Sequence, residues 1–223
     1  QILEADSLNA DVWFRMGLAY QNFLPDDKSF DCFVKAASID TLNQQYKFML
    51  AKALYGKGKN RQAKPLFEEL CKSDSMNWQY ASNLTSIYMQ EGEHDDAISV
   101  YNRFYETDTT NYVFLDKLGF AYLRKGEFEI SKDFFRRSLL INDRNINALK
   151  NSAYLYTMTY RADTALKILT RGIELDPTDM DLFARRAAIH YSINYNKRAL
   201  NDYLTILASG DSSTVYLKRA GIG

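Results

Sequence analysis

The sequence predicts an all-α fold in which pairs of antiparallel helices stack into a solenoid. Three observations carry that prediction: an unbroken 34-residue period, rows of small and large residues at helical spacing, and a scarcity of helix breakers. The period is visible first in Lys57-Gly58-Lys59, Glu91-Gly92-Glu93 and Lys125-Gly126-Glu127, whose glycines are 34 residues apart. Counting outward gives one domain, 1–223, with six complete units: 10–43, 44–77, 78–111, 112–145, 146–179 and 180–213. Residues 1–9 match the tail of a preceding unit and 214–223 the head of a following one, so partial repeats are expected at both ends. Only Pro25, Pro65 and Pro177 interrupt the 223 residues.

Each unit reads as two helices. In the first, position 8 is small or medium (Gly17, Ala51, Thr85, Gly119, Ala153, Ala187) and position 11 is mostly large (Tyr20, Leu54, Tyr88, Tyr122, Tyr156, His190). Position 4 includes Trp13, Leu115, Leu149 and Phe183, and positions 4, 8 and 11 share one helical face. In the second helix, position 20 is always Ser or Ala, and position 24 is always large: Phe33, Phe67, Tyr101, Phe135, Leu169 and Tyr203. Small against large at fixed spacing is what close helix packing requires. Position 34 is Asn9, Asn43, Asn77, Asn111, Asn145, Asp179 and Ser213, each expected to cap the next first helix. The glycines at position 15 suit the turn between the two helices.

These residues resemble the tetratricopeptide repeat family. Trp13, Met16, Gly17, Tyr20, Phe33 and Ala36 follow its pattern in the first unit, as do Leu115, Leu118, Gly119, Tyr122 and Phe135 in the fourth. Lys47 and Ala81 replace the first large residue, Arg186 stands where Leu is expected, and only Pro177 keeps the closing proline. The RNA-binding pentatricopeptide family has a period one residue longer, which the unbroken 34 argues against. The resemblance implies a right-handed superhelix whose first helices line a concave surface, and a protein-interaction scaffold that receives a peptide or partner segment there. The alternative is a structural or spacer module of a larger protein whose activity lies elsewhere in its chain.

At about 100° per residue, positions 2, 6, 9 and 13 lie opposite the buried face of the first helix. These rows supply the candidate partner-binding residues: Arg15, Lys52, Asn83, Lys117, Phe120, Arg124, Asn151, Tyr154, Arg185 and Arg219. Arg15, Lys52, Lys117, Arg124, Arg185 and Arg219 are opposed on the rows only by Asp11 and Asp181, whereas the whole chain is neutral, with 28 cations and 28 carboxylates. A basic inner surface is therefore expected, suited to an acidic segment. Arginine suits carboxylates and asparagine suits main-chain amides, while Phe120, Tyr154 and Met158 add apolar contact. A two-carboxylate clamp known in the family is matched only in part, by Lys52, Asn83 and Lys117, with Phe48 and Val113 at two required places.

Other chemistry is sparse. Zero net charge argues against nucleic acid. No apolar run approaches the roughly 18 residues of a membrane span. There is no signal-peptide pattern, and because Gln1 is not an initiator methionine the chain is expected to begin inside a longer protein. Cys32 and Cys71 fall at different places in their units and are expected as packed thiols, not a disulfide. His190 takes a core position, whereas His94 is expected in a solvated turn. No zinc spacing, phosphate loop or nucleophile elbow appears, so neither a cofactor nor an enzyme is expected. Unpaired apolar ends, such as Leu217, would permit self-association.

Overall fold

The structure is a computed structural model that describes residues 9–23 and 27–210. Among these residues the chain forms helices and no strand. The first helices of the pairs are α1 (Ala10–Phe23), α3 (Gln44–Gly56), α5 (Trp78–Glu91), α7 (Tyr112–Lys125), α9 (Ile146–Met158) and α11 (Met180–Ser192). Their partners are α2 (Asp27–Ile39), α4 (Asn60–Ser73), α6 (His94–Thr107), α8 (Phe128–Ile141), α10 (Ala162–Leu175) and α12 (Asn196–Ala208). The chain divides into two compact units, one ending at Val100 and the other beginning at Tyr101. In the first unit each helix from α1 to α5 packs on the next; in the second the same holds from α7 to α12. The fold is thus all-α, built of stacked antiparallel helix pairs. The expected partial repeats lie outside the described residues, apart from Asn9.

The helix starts follow from local chemistry. Asn43, Asn77, Asn111, Asn145 and Asp179 are extended, and each side chain accepts a hydrogen bond from a backbone N–H in the first turn of the helix it precedes. Asn9 accepts from Asp11 and Val12 in the same way. Each contact satisfies a donor the helix cannot satisfy itself. A second row prepares the cap. Asp40, Asp74, Asp108, Asn142 and Asp176 accept from the backbone N–H two residues on, folding the chain between pairs. Hydrogen bonds from Thr110 and Thr178, hydroxyl first and backbone second, hold the Asp108 and Asp176 carboxyls below the ordinary range.

The turn inside each pair uses a left-handed residue. Gly58, Gly92 and Gly126 have φ of 70°, 81° and 88°. The next N–H closes back on the carbonyl of position 11, as in Glu93 to Tyr88 at 2.8 Å and Glu127 to Tyr122 at 2.9 Å. The last two pairs make the same bond, Arg161 to Tyr156 and Tyr195 to His190, but place Tyr160 (φ 58°) and Asn194 (φ 63°) at the left-handed position. Tyr160 is 97% exposed, so no packing offsets its strain. Tyr160→Gly is expected to stabilise the chain by about 1 kcal/mol, the scale of the left-handed penalty on a side chain. A higher urea midpoint at unchanged slope would show it; an unchanged or lower midpoint would contradict it.

The core rows are close to those expected. Positions 8 and 24 are buried in every unit. A Cβ added to Gly17 would lie 2.6 Å from the Phe33 ring, and one on Gly119 would lie 2.6 Å from Phe135. Two details differ. Trp13 is only half-buried beneath the Lys35 ammonium, and its neighbour Phe14 takes the core place, 4.8 Å from the Tyr46 ring. Tyr20, Tyr88, Tyr122 and Tyr156 are half-buried, because a phenol at the edge of the stack keeps its hydroxyl near polar groups, as Tyr88 does with Glu68 at 3.2 Å. Cys32 and Cys71 are buried thiols that are not joined in a disulfide.

Arg186 resolves differently from its counterparts. Where Leu50, Leu84 and Leu118 fill the core, its guanidinium reaches Asp202 of α12 with two bonds of 2.7 and 3.0 Å and the Thr170 hydroxyl of α10 at 3.2 Å. Asp202 is 4% exposed and occupies the position held earlier by Leu66, Val100 and Phe134. An apolar pair has been exchanged for a buried ion pair.

Candidate partner-binding face

The second unit brings α7, α9 and α11 side by side as the first helices of consecutive pairs. Leu115, Leu118, Gly119, Ala121 and Leu123 bury one arc of α7, which turns Lys117, Phe120 and Arg124 outward. The same logic turns Asn151 and Tyr154 out of α9, and Arg185 and Ala188 out of α11. Phe120, Arg124, Asn151, Tyr154 and Arg185 line one cleft of about 610 Å³. Thr157, Ile189 and Ser192 also contribute to its wall. A second cleft of about 600 Å³ shares Phe120 and Asn151 and adds Asp116, Lys117 and Asn147. Six of the ten residues chosen from sequence therefore lie on two adjoining clefts of one unit.

The others do not join them. Arg15 and Lys52 are exposed on the first unit, where Arg15 bonds Asp11 at 2.7 Å and the Lys52 ammonium lies over the Phe48 ring. Asn83 is half-buried and donates to the Gln79 carbonyl of its own helix at 2.7 Å. Arg219 lies outside the described residues.

The electrostatics are less one-sided than the row count implied. The two acidic row residues are not spread among the cations but bonded to two of them, Asp11 to Arg15 and Asp181 to Arg185 at 2.8 Å. Both pairs are four residues apart on a helix, the spacing at which opposite charges meet. Burial pushes the Asp181 carboxyl up, but the Arg185 hydrogen bond and charge, with Lys150 at 3.4 Å, outweigh it and hold the group below its ordinary range. The exposed charge left on the two clefts is that of Lys117, Arg124 and Arg144, none of which has a salt-bridge partner among the described residues.

Asp116 was not singled out from sequence. Its Oδ2 accepts from the Asn145 amide at 2.5 Å, and Asn145 also bonds Ser138 while capping α9. Asp116 Oδ1 is buried without a partner among the described residues. Burial holds this carboxyl above the ordinary range, with Ser138, Asn145 and Lys117 pulling the other way. The signal was present: position 5 reads Phe14, Phe48, Ser82, Asp116, Lys150 and Ala184, a row that changes character along the chain. His94 also departs from expectation. It is the first residue of α6, half-buried, with Nδ1 enclosed, because the left-handed Gly92 folds the turn back onto the pair.

Among the described residues no group of three or more His, Cys, Asp or Glu could hold a metal ion, and no helix is long and apolar enough to cross a membrane.

A comparison with curated protein sequences finds no match. Residues 48–112 match a tetratricopeptide repeat family model. Among solved structures, a tetratricopeptide repeat protein from Parabacteroides merdae is 18% identical, with a TM-score of 0.81 over 95% of this chain and 84% of that one. A thermophilic repeat protein from Thermus thermophilus is 19% identical, with a TM-score of 0.60 over 81% of this chain and 98% of the other. YrrB, described as a TPR protein with an unusual peptide-binding site, is 15% identical, with a TM-score of 0.62 over 81% and 93%. The 34-residue helix pairs, their caps and the family match over residues 48–112 agree: the described residues have the fold of tetratricopeptide repeat proteins.

Proposed function

We propose that this chain is a protein-interaction scaffold that receives an extended, acidic partner segment across α7, α9 and α11. Chains of this fold are typically non-catalytic scaffolds that bind proteins or peptides. The observation that carries the finer reading is the convergence of Phe120, Arg124, Asn151, Tyr154 and Arg185 on one cleft. Each residue type matches a part of a peptide. The Asn151 side-chain amide offers both a donor and an acceptor, as a peptide bond does. Lys117 and Arg124 attract and bond carboxylates. Phe120, Tyr154 and Ile189 offer apolar and aromatic surface for one or two anchor side chains. Packed helices lie roughly 8–10 Å apart, so three of them span about 20 Å, the length of about six extended residues.

The test is selection of random peptides displayed against the intact chain. Enriched sequences are expected to combine Asp or Glu with an aromatic or aliphatic residue. Lys117→Glu with Arg124→Glu, both on the exposed face, is expected to weaken them by at least about tenfold, or 1.4 kcal/mol. Peptides that bind this double variant and Tyr154→Ala as well as the parent would move the site off this face.

A further inference from the structure

A separate constellation lies on the opposite arc of α11. Three positions that are apolar or aromatic in the earlier pairs, apart from Ser152 at position 7, carry charged or imidazole side chains in the pair of α11 and α12. Position 7 becomes Arg186, position 11 becomes His190 and position 23 becomes Asp202. All three line a cleft of about 510 Å³ between α10, α11 and α12. Its remaining charged walls are Lys167, Arg171 and Glu174 from α10 and Arg198 from α12. Leaving the histidine aside, the cleft holds the four cations Lys167, Arg171, Arg186 and Arg198 against the two carboxylates Glu174 and Asp202.

Among the described residues, two of the cations are paired within the protein, and two are not. Arg186 bonds Asp202 and Thr170, which leaves further N–H donors on the guanidinium. Arg171 bonds Asp143, whereas Lys167 is exposed without a salt-bridge partner among the described residues. Arg198 is exposed, its guanidinium stacked 5.4 Å from the Tyr195 ring, a contact that steadies the side chain without neutralising it. His190 is 7% exposed, and its Nδ1 is enclosed with no partner among the described residues. A buried ion pair gives no stability that a well-packed apolar pair would lack. The same chain uses the apolar solution at Leu50 and Leu66, and again at Leu118 and Phe134. Stability therefore does not account for the exchange.

We infer that this cleft is a binding site for an oxyanion, a phosphate or carboxylate group, held by Lys167, Arg198 and the unspent donors of Arg186, with His190 against it. Arg186 is the preorganised member, because Asp202 and Thr170 fix its plane. Lys167 and Arg198 supply the net charge from two different helices.

His190 reports occupancy. Burial holds its imidazole below the ordinary value; Asp202 opposes this, while Arg186 and Arg198 add to it. Lys167, Arg171 and Glu174 face it from α10. A bound anion favours the imidazolium, so the His190 titration is expected to move upward. The experiment is an NMR titration of the two imidazoles in the full chain, with His94 of the first unit as internal reference. Inorganic phosphate and acetate are added in separate arms at constant ionic strength, with chloride as the control. A saturable change confined to His190 is expected, weakened at least about tenfold in the exposed-site variant Lys167→Glu, Arg198→Glu. Saturation by phosphate alone assigns a phosphoryl ligand, and saturation by acetate also assigns a carboxylate. A response that chloride reproduces, no response in either arm, or saturation retained by the double variant overturns the site.

Discussion

Asp202→Ala is expected to cost about 3–5 kcal/mol, because it leaves the Arg186 guanidinium inside the last helix pair without its counter-charge. The pair is bidentate, at 2.7 and 3.0 Å, and the carboxylate is 4% exposed. Restoring the apolar pair of the earlier repeats has the opposite sign. Arg186→Leu with Asp202→Leu recreates the chemistry of Leu50 with Leu66 and is expected to be neutral or stabilising by about 1–4 kcal/mol. Urea unfolding of Arg186→Leu, Asp202→Leu and the double variant forms a thermodynamic cycle. If Asp202→Ala proves as mild as a surface substitution, within about 0.5 kcal/mol, the ion pair is not what holds α11 to α12.

Phe135→Ala is expected to cost about 3–5 kcal/mol, the range for deleting a fully buried aromatic ring. Phe135 is 1% exposed and packs on the bare backbone of Gly119. Gly119→Ala approaches the same contact from the other side. Its new methyl would sit 2.6 Å from a ring carbon of this buried side chain, at a cost of about 1–3 kcal/mol. The next pair joins Ala153 to Leu169 at the equivalent positions. Gly119→Ala with Phe135→Leu is accordingly expected to cost less than the sum of its two parts, and strict additivity in urea unfolding would contradict direct contact.

The features legible in the sequence are those that one residue, or one residue per period, decides. An Asn before a helix caps it wherever it occurs, so the helix starts at Gln44, Trp78 and Tyr112 could be read directly. Gly119 and Phe135 could be matched because a small residue faces a large one at the same two places in other units. What was hidden required a partner from another position in the period. Arg186 looked like a fault in the Leu row until position 23 was read beside position 7, where Asp202 answers it. Summing charges by row treated Asp181 and Arg185 as independent, although their spacing makes them neighbours. Phe14 displaced Trp13 from the core because a helical face is broad enough for either of two adjacent residues to fill it. On the binding face, six of the chosen residues could be found by rotation about a helix axis alone. Asp116 was missed because its burial depends on Asn145, a cap belonging to the following helix.

The position of the caps also determines how this solenoid divides into transferable parts. Each first helix from α3 onward depends on an Asn or Asp that precedes it and on the turn residue three places earlier, as α7 depends on Asn111 and Asp108. A fragment cut at the start of a helix would leave both behind. One cut from Asp108 to Ile141 keeps its own turn, its own cap and both helices, and ends before Asn142 begins the next turn. Grafting or shuffling of these modules should follow that frame, which leads the helical frame by one turn.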